Sequence, residues 1–296
     1  MLAAYNGRAF IEEQVRSILG QRGVSVTLLI SVDCSSDGTE AWVDELARSE
    51  PRVKVLPHGL RFGGAAPNFF RLIEAAAADD HDFFALADQD DIWLDGKLAR
   101  GCEVLKQQPV HGFSSDVLAF WPDGRERIVR KSQPQVGHDH LFEAAGPGCT
   151  YILDRDLMKA LQLNLRSQGA DLQRVSLHDW YIYAFARANG FRWHIDDQAL
   201  MRYRQHANNQ VGVNSGISAY KARLAKVLNG WWLGQSRLIA QLVGLADDPF
   251  VRQWRRLGRG ALLRLACKGR QCRRRPRDQL SFALFCLALA MVGAGK

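Results

Sequence analysis

This chain of 296 residues predicts an α/β fold, a mostly parallel mixed sheet flanked by helices. Three observations carry that prediction. Short apolar runs rich in β-branched residues, "VTLLISVD" (26–33), "RVKVLP" (52–57) and "FFALAD" (83–88), alternate with helical patterns. Strand–helix–strand repetition of this kind builds a parallel sheet with helices on its faces. Finally, Asp33 and Asp88 stand where two of those strands stop, and such sheets bind ligands beyond the carboxyl ends of their strands.

The elements follow in order. "MLAAYNG" leaves barely four residues for a first strand, short for a central one, and implies a start placed too late or a trimmed N-terminus. Ile11, Val15, Ile18 and Leu19 share one face of a helix, and Trp42, Val43 and Leu46 share a face of 39–48. Pro67 suits the first helical position of "PNFFRLIEAAAA". After residue 110 the pattern changes. "GFSSDVLAFWPDGRERIV" reads as two strands around a Pro-Asp-Gly turn. "GPGCTYIL" approaches another short strand, "RDLMKALQL" is a helix, and 178–190 is a helix closed by Gly190. Residues 202–212, "RYRQHANNQVG", read as a polar loop, with helical segments beyond. The division expected is 1–110 and 111–212 as two halves of one domain, and 213–296 as a helical basic tail.

Charge is unevenly spread. Residues 211–296 hold 16 Lys/Arg against three acids, a surplus of thirteen, while the first 210 residues hold 23 against 28. The body is therefore mildly acidic, and the basic tail is the part that seeks an anionic surface. From Arg252 to Arg277 there are ten Arg, one Lys and no acid, interleaved with Trp254, Leu257, Leu262, Leu263 and Leu265. That mixture suits an anionic membrane surface or a solvated helix face packed on the domain, and nucleic acid far less well. Residues 280–295 are sixteen mostly apolar positions, short of the roughly 20 a membrane-crossing helix needs. They suit a surface-lying segment or a dimer contact, so an oligomer is allowed. No secretory signal opens the chain, and six scattered cysteines without a CxxC pair fit reduced thiols in a cytosolic compartment.

Three constellations bear chemistry. Asp88, Asp90 and Asp91 lie within four positions at a strand end, where a hard divalent cation could be held against a diphosphate; the structural alternative is an acidic turn opening a helix. Asp33, ending "SVD", can accept the imino N–H of a pyrimidine, whereas Asp37 reads as a helix cap. His178-Asp179 precedes a helix and offers either a general base or a plain cap.

Taken together, "AYNG", "SVDCSSDGT", "NFFRLIEAA", "LADQDDIWLDGKL", "GCTYIL", "HDWYIYAFARANG" and "YRQHANNQVG" resemble the family 2 glycosyltransferases of GT-A fold, most of all their rhamnosyltransferase-like branch in bacterial surface-polysaccharide synthesis. The resemblance implies that Ala4, Tyr5, Asn6, Asp33, Asn68 and Asp88 bind the donor nucleotide. It implies Asp90, with Asp88, Asp91 and His206, as ligands of Mg2+ or Mn2+, and Asp179 as catalytic base. Gly148, Cys149, His178 and Trp180 are the implied acceptor contacts. One departure is visible: Val32 and Cys34 stand where the family writes an Asp and a Gly. The implied reaction is inverting transfer of a sugar, L-rhamnose from dTDP-rhamnose or else a hexose from its UDP donor, to a glycan or lipid-linked acceptor at the cytoplasmic face of the inner membrane. The rivals are a sugar-nucleotide pyrophosphorylase, whose Gly-rich N-terminal loop is missing, an aspartyl-phosphate phosphatase, and a non-catalytic membrane-associated protein on a decayed transferase fold.

Overall fold

The structure, a computed structural model, describes residues 1–206 and 230–292. Strands β1 (Leu2–Ala4), β2 (Leu28–Val32) and β3 (Val53–Val55) pair in parallel, with α1 (Ile11–Leu19) and α2 (Thr39–Ser49) as the crossovers. Their spacing explains them. Ile11, Val15 and Ile18 are buried on one face of α1, and Leu28, Ile30 and Val32 are buried with them. A parallel bridge from Leu2 to Ala87 carries this sheet across to β4 (Phe83–Ala85). There β4 pairs antiparallel with β9 (Ile152–Asp154), β9 with β6 (Gly112–Ser115), and β6 in parallel with β10 (Trp193–Asp196). The sheet is thus mixed rather than purely parallel, because β9 enters between β4 and β6 in the reverse sense.

Both halves of the chain share their core. Helix α3 (Ala65–Ala75) buries Phe69, Phe70, Leu72 and Ile73 against α5 (Arg155–Gln168) and α6 (His178–Ala188), which supply Leu157, Leu161 and Tyr181. Pro67 is the third residue of α3, not the first. Proline is tolerated there because the first four N–H groups of a helix have no intrahelical acceptor. Helix α4 (Lys97–Gln107) covers β6 and β9.

Two other expectations need correction. The two strands foreseen over 112–129 are three, since the chain leaves β6 at Asp116 and starts β7 (Val117–Phe120), which forms the hairpin with β8 (Glu126–Val129). The Asp116 carboxylate accepts from Lys131 N, Ser132 N and Ser132 Oγ at 2.6–3.1 Å, so it braces the far end of that hairpin. Residues 202–204 are not loop but part of β11 (Met201–Arg204), which pairs with β5 (Ile92–Trp93) and β7. Its polar side chains obscure the strand in the sequence, yet Arg202 lies over the Phe120 ring and Arg204 over Phe10, at 4.4 and 5.0 Å. Residues 207–212 of the expected loop and 213–229 of the expected tail lie outside the described residues.

The C-terminal part folds onto the body. Helices α7 (Trp231–Leu242), α8 (Pro249–Trp254), α9 (Arg259–Ala266), α10 (Gly269–Cys272) and α11 (Pro276–Val292) surround a second core of Leu233, Trp254, Leu262, Phe282 and Cys286, into which Leu141 and Phe142 of the body insert. No helix among the described residues is long and apolar enough to cross a membrane. A buried ionic knot fastens the tail. The Arg274 side chain is fully buried; its Nη1 lies 3.0 Å from Asp139 Oδ2, and its Nη2 donates to Ala144 O at 2.7 Å. Asp139 also receives Arg187 Nη1 at 3.1 Å and the Tyr183 hydroxyl at 2.9 Å.

Breaking a buried ion pair leaves an uncompensated charge. Arg274→Met should therefore lower the unfolding free energy by about 3 kcal/mol, the low end for such losses because Arg187 still faces Asp139. Urea denaturation of the full chain checks this.

Candidate active site

The C-terminal ends of β1, β2 and β4 open onto one cleft of about 870 Å³. Its near end is built by Ala4, Tyr5, Asn6, Asp33, Arg61 and Asn68. Asp88, Gln89, Asp90, Asp179 and His206 line it as well, and Glu143, Gly148, His178 and Trp180 belong to its other side.

The near end is shaped by backbone hydrogen bonding. Asp33 is buried, and its two carboxylate oxygens accept from Phe62 N (2.9 Å) and Gly63 N (3.0 Å), which folds residues 61–64 over the strand end. Asn68 Nδ2 donates to Ser31 O at 3.1 Å and to Ala4 O at 3.4 Å, tying β1 to β2, while its Oδ1 has no partner among the described residues. Asn6 takes a positive φ of 45° and its Oδ1 accepts from Ser36 N, so the two loops are stitched together. Asp37 shapes the same turn, accepting from Thr39 N and Arg8 N. Val32, one departure from the family pattern, is fully buried in the core beneath Asp33, whereas Cys34, the other, is exposed.

Gln89, which the sequence reading passed over, locks the carboxylate loop to the first strand. Its Oε1 accepts from Tyr5 N at 2.7 Å and its Nε2 donates to Tyr5 O at 2.8 Å. A Cβ at position 7 would lie 2.1 Å from Gln89 Oε1, so a larger residue there would displace the glutamine from Tyr5. The one available signal was Gln89's place between two aspartates.

The acids crowd. Asp88 is pushed up to about 7, first by burial and then by the charge on Asp90. Burial also raises Asp179 to about 6. Asp91 behaves differently from the other two acids of its cluster. It is fully buried and lies behind the cleft wall, where its Oδ1 accepts from Arg204 N and its Oδ2 has no partner among the described residues. Burial, then Asp90 and Asp88, raises its pKa well above the usual carboxylate range. His206 Nε2 lies 2.8 Å from Asp90 Oδ2, and its ring stacks on Phe10.

Donor chemistry decides what these groups suit. Asp88 and Asp90 offer oxygen atoms at the cleft surface, the ligand type that Mg2+ and Mn2+ take, and the repulsion that raises Asp88 is what a cation relieves. Cys149, with Asp88 and Asp91, presents atoms within 4.8 Å of one another, but burial holds it as a thiol, a poor partner for a hard cation.

Asp179 lies in the first turn of α6, its Oδ1 accepting from Trp180 N at 2.7 Å. Trp180 is anchored by its indole N–H to His140 O at 2.9 Å. His178 is buried, stacked on Phe69 at 3.9 Å, and lowered by burial to about 3, so it is neutral. A Cβ on Gly148 would meet His178 Nε2 at 2.3 Å, which explains the glycine at that turn. Cys149 is buried and off the cleft wall.

Four acids from three parts of the chain, Asp33, Asp88 with Asp90, and Asp179, thus meet in one cleft at the strand ends, and the protein is a glycosyltransferase. Residues 1–148 match the family model described as Glycosyl transferase family 2, and the chain belongs to that family. It is 38% identical to dTDP-rhamnosyl transferase RfbG of Shigella flexneri over 286 residues, covering 96% of this chain and 98% of the relative. It is 26% identical to UDP-Glc:alpha-D-GlcNAc-diphosphoundecaprenol beta-1,3-glucosyltransferase WfaP of Escherichia coli, covering 65% and 80% respectively. In fold it is similar to S. aureus TarS residues 1–349 in complex with UDP-GlcNAc (TM-score 0.54, 13% identity, 98% and 87% of the two chains). It is equally similar to mannosyltransferase PcManGT from Pyrobaculum calidifontis with GDP-Man and Mn2+ (TM-score 0.55, 15% identity, 98% and 84%).

A carboxyl raised in the folded state keeps a proton that the unfolded chain releases, so the stability it contributes is lost as pH rises. In chelator the melting temperature should fall between pH 4 and 7, the window set by Asp179 and Asp88. Asp88→Asn should flatten that fall, which thermal unfolding across pH in EDTA measures.

Proposed function

We propose that this glycosyltransferase moves L-rhamnose from dTDP-rhamnose, with inversion, to a hydroxyl of a glycan or lipid-linked saccharide, and that it depends on Mg2+ or Mn2+. The observation that carries this is the meeting of Asp33, Asp88, Asp90 and Asp179 in one cleft, in a chain 38% identical to a dTDP-rhamnosyl transferase. UDP-hexose is the alternative donor, favoured by the more distant glucosyltransferase relatives.

In this reading Asp33 and the loop it holds receive the pyrimidine, with Asn6, Tyr5 and Asn68 around the nucleoside. Asp90 and Asp88 would hold the cation, assisted by His206. When bound, the cation neutralises charge that builds on the departing diphosphate. Asp179 accepts the proton of the acceptor hydroxyl as that oxygen forms its bond to the anomeric carbon. The bond from that carbon to the diphosphate oxygen breaks, leaving the nucleoside diphosphate. One displacement inverts the carbon, and no enzyme nucleophile is required. Gly148, His178 and Trp180 form the acceptor wall. Asp91 and Cys149 support that wall from behind.

The division into a nucleotide half (1–110), an acceptor half (111–212) and a basic tail (213–296) is kept as part of this proposal. So is peripheral attachment to the cytoplasmic face of the inner membrane. Supporting attachment, α11 buries Phe282, Cys286 and Leu289 while leaving Leu280, Leu284, Leu287 and Met291 exposed along one face. Arg256, Arg259, Arg264, Arg270 and Arg277 are exposed on neighbouring segments. Apolar and cationic groups presented together suit an anionic interface.

A thermal-shift panel of nucleotide sugars tests the donor and the metal. dTDP-rhamnose should stabilise the protein only when Mn2+ is present, by mass action on the folded state. Asp90→Asn should abolish the Mn2+-dependent part, and an unchanged shift in that variant contradicts the metal assignment. Asp179→Asn should retain donor binding while kcat drops by roughly 10²–10⁴, the usual contribution of a general base. In the unaltered enzyme kcat should fall as pH drops through about 6, as Asp179 takes up its proton. Turnover that stays flat below that pH removes Asp179 from the role.

A further inference from the structure

The surplus of cations in the tail does not all face outward. Arg274 is the buried anchor of the "RRRPR" run: besides its contacts with Asp139 and Ala144, its N–H donates to Glu143 Oε1 at 2.8 Å. With the middle arginine fixed in the core, its neighbours Arg273 and Arg275 are delivered to the wall of the cleft. Arg127 of β8, itself exposed, and Lys131 just beyond it line the same cleft. Burial lowers the Lys131 ammonium, and Glu143 and the three arginines 273–275 all lie within its electrostatic reach.

The nearest acid of the body, Glu143, is already engaged. Glu143 takes the Arg274 backbone N–H and faces Arg273 Nε at 3.6 Å and Arg274 Nη2 at 3.6 Å. Arg273 has Asp278 as a further partner at 3.8 Å. Among the described residues, Arg127, Lys131 and Arg275 form no ion pair. A cleft lined by three cations outside any ion pair, one of them disfavoured by burial, suits an anion. Its location says whose. Lys131 is within electrostatic reach of Asp179, so this wall lies beside the proposed base. The donor's diphosphate belongs with Asp88 and Asp90 instead.

We propose that Arg127, Lys131, Arg273 and Arg275 form an anion subsite that binds a phosphate or diphosphate group carried by the acceptor, with Trp231 and Trp232 beside it on the same wall. The proposal rests on the reading of Asp179 as the acceptor-side base. It makes residues 273–275 of the tail part of the substrate site, leaving the exposed apolar face of α11 for the membrane, and selects acceptors that are phosphate esters over neutral glycans. Arginine suits the task because its planar fork matches phosphate oxygens.

The test uses the full-length protein, methylenediphosphonate as the probe, and EDTA to keep the probe off the carboxylate side. Calorimetric titration should show binding by the unaltered protein. Arg127→Ala/Arg275→Ala should weaken it by about tenfold for each arginine removed, the scale of a charge-assisted hydrogen bond. Neither side chain holds an ion pair, and binding of dTDP with Mn2+ by the double variant serves as the control for folding. Absence of probe binding in the unaltered protein, or equal binding by the variant, overturns the subsite. A parallel titration with phosphatidylglycerol vesicles separates the two sources of phosphate. If the double variant loses vesicle binding but keeps the soluble probe, the arginines serve the lipid surface and the proposal fails. Loss of dTDP binding by the unaltered protein with Mn2+ counts against the donor reading instead, because the probe arm contains no metal.

Discussion

Carboxylates that share one cleft wall repel each other, and the rest of the site is arranged around that repulsion. Asp88 cannot be both buried beside Asp90 and comfortably ionised, so its proton affinity climbs toward neutrality. Such an arrangement destabilises the fold unless something else is gained. The protein holds it in place by rigid means. Gln89 pins the loop to Tyr5 through two backbone hydrogen bonds, Arg204 Nε donates to Asp90 O at 2.7 Å, and β11 closes over β5 beside the cluster. The strain is concentrated at the carboxylates to which the proposed cation and donor diphosphate are assigned, and functional sites are the usual place for locally unfavourable structure.

The same logic operates with opposite sign at the other end of the cleft. There cations outnumber acids, and the segment that brings Arg273 and Arg275 is held by a buried arginine whose partners come from residues 139–144 of the body. One ionic knot therefore joins three parts of the chain: the loop before the acceptor wall, helix α6 through Tyr183 and Arg187, and the tail. Because α6 also carries Asp179, the position of the tail and the position of the proposed base depend on a common support.

Family membership and physical chemistry contribute different parts of this account. Relatives define the class of enzyme and the kind of donor. They say nothing about why Gly148 lacks a side chain, which follows from the buried His178 ring occupying the space a Cβ would fill, or why a Cβ at Gly7 would disturb Gln89. Nor do they explain the departure at position 32. Val32 packs in the core while Asp33 alone turns toward the cleft, so the substitution lands on the hidden side of the strand.

What the sequence by itself determined was the α/β class, the helices with clean apolar faces such as α1, and the strand ends at Asp33 and Asp88, because periodicity and strand-end placement are local properties. It could not reveal that β11 is a strand, since Arg202 and Arg204 hide its alternation and find their apolar cover on Phe120 and Phe10, far away in the chain. Nor could it separate Asp91 from Asp90, two neighbours of which one lines the cleft and the other is fully buried. Only the tertiary structure decided which arginine of "RRRPR" is buried and which reach the cleft. Burial of a charge depends on partners more than a hundred residues distant, and no local pattern encodes where they are.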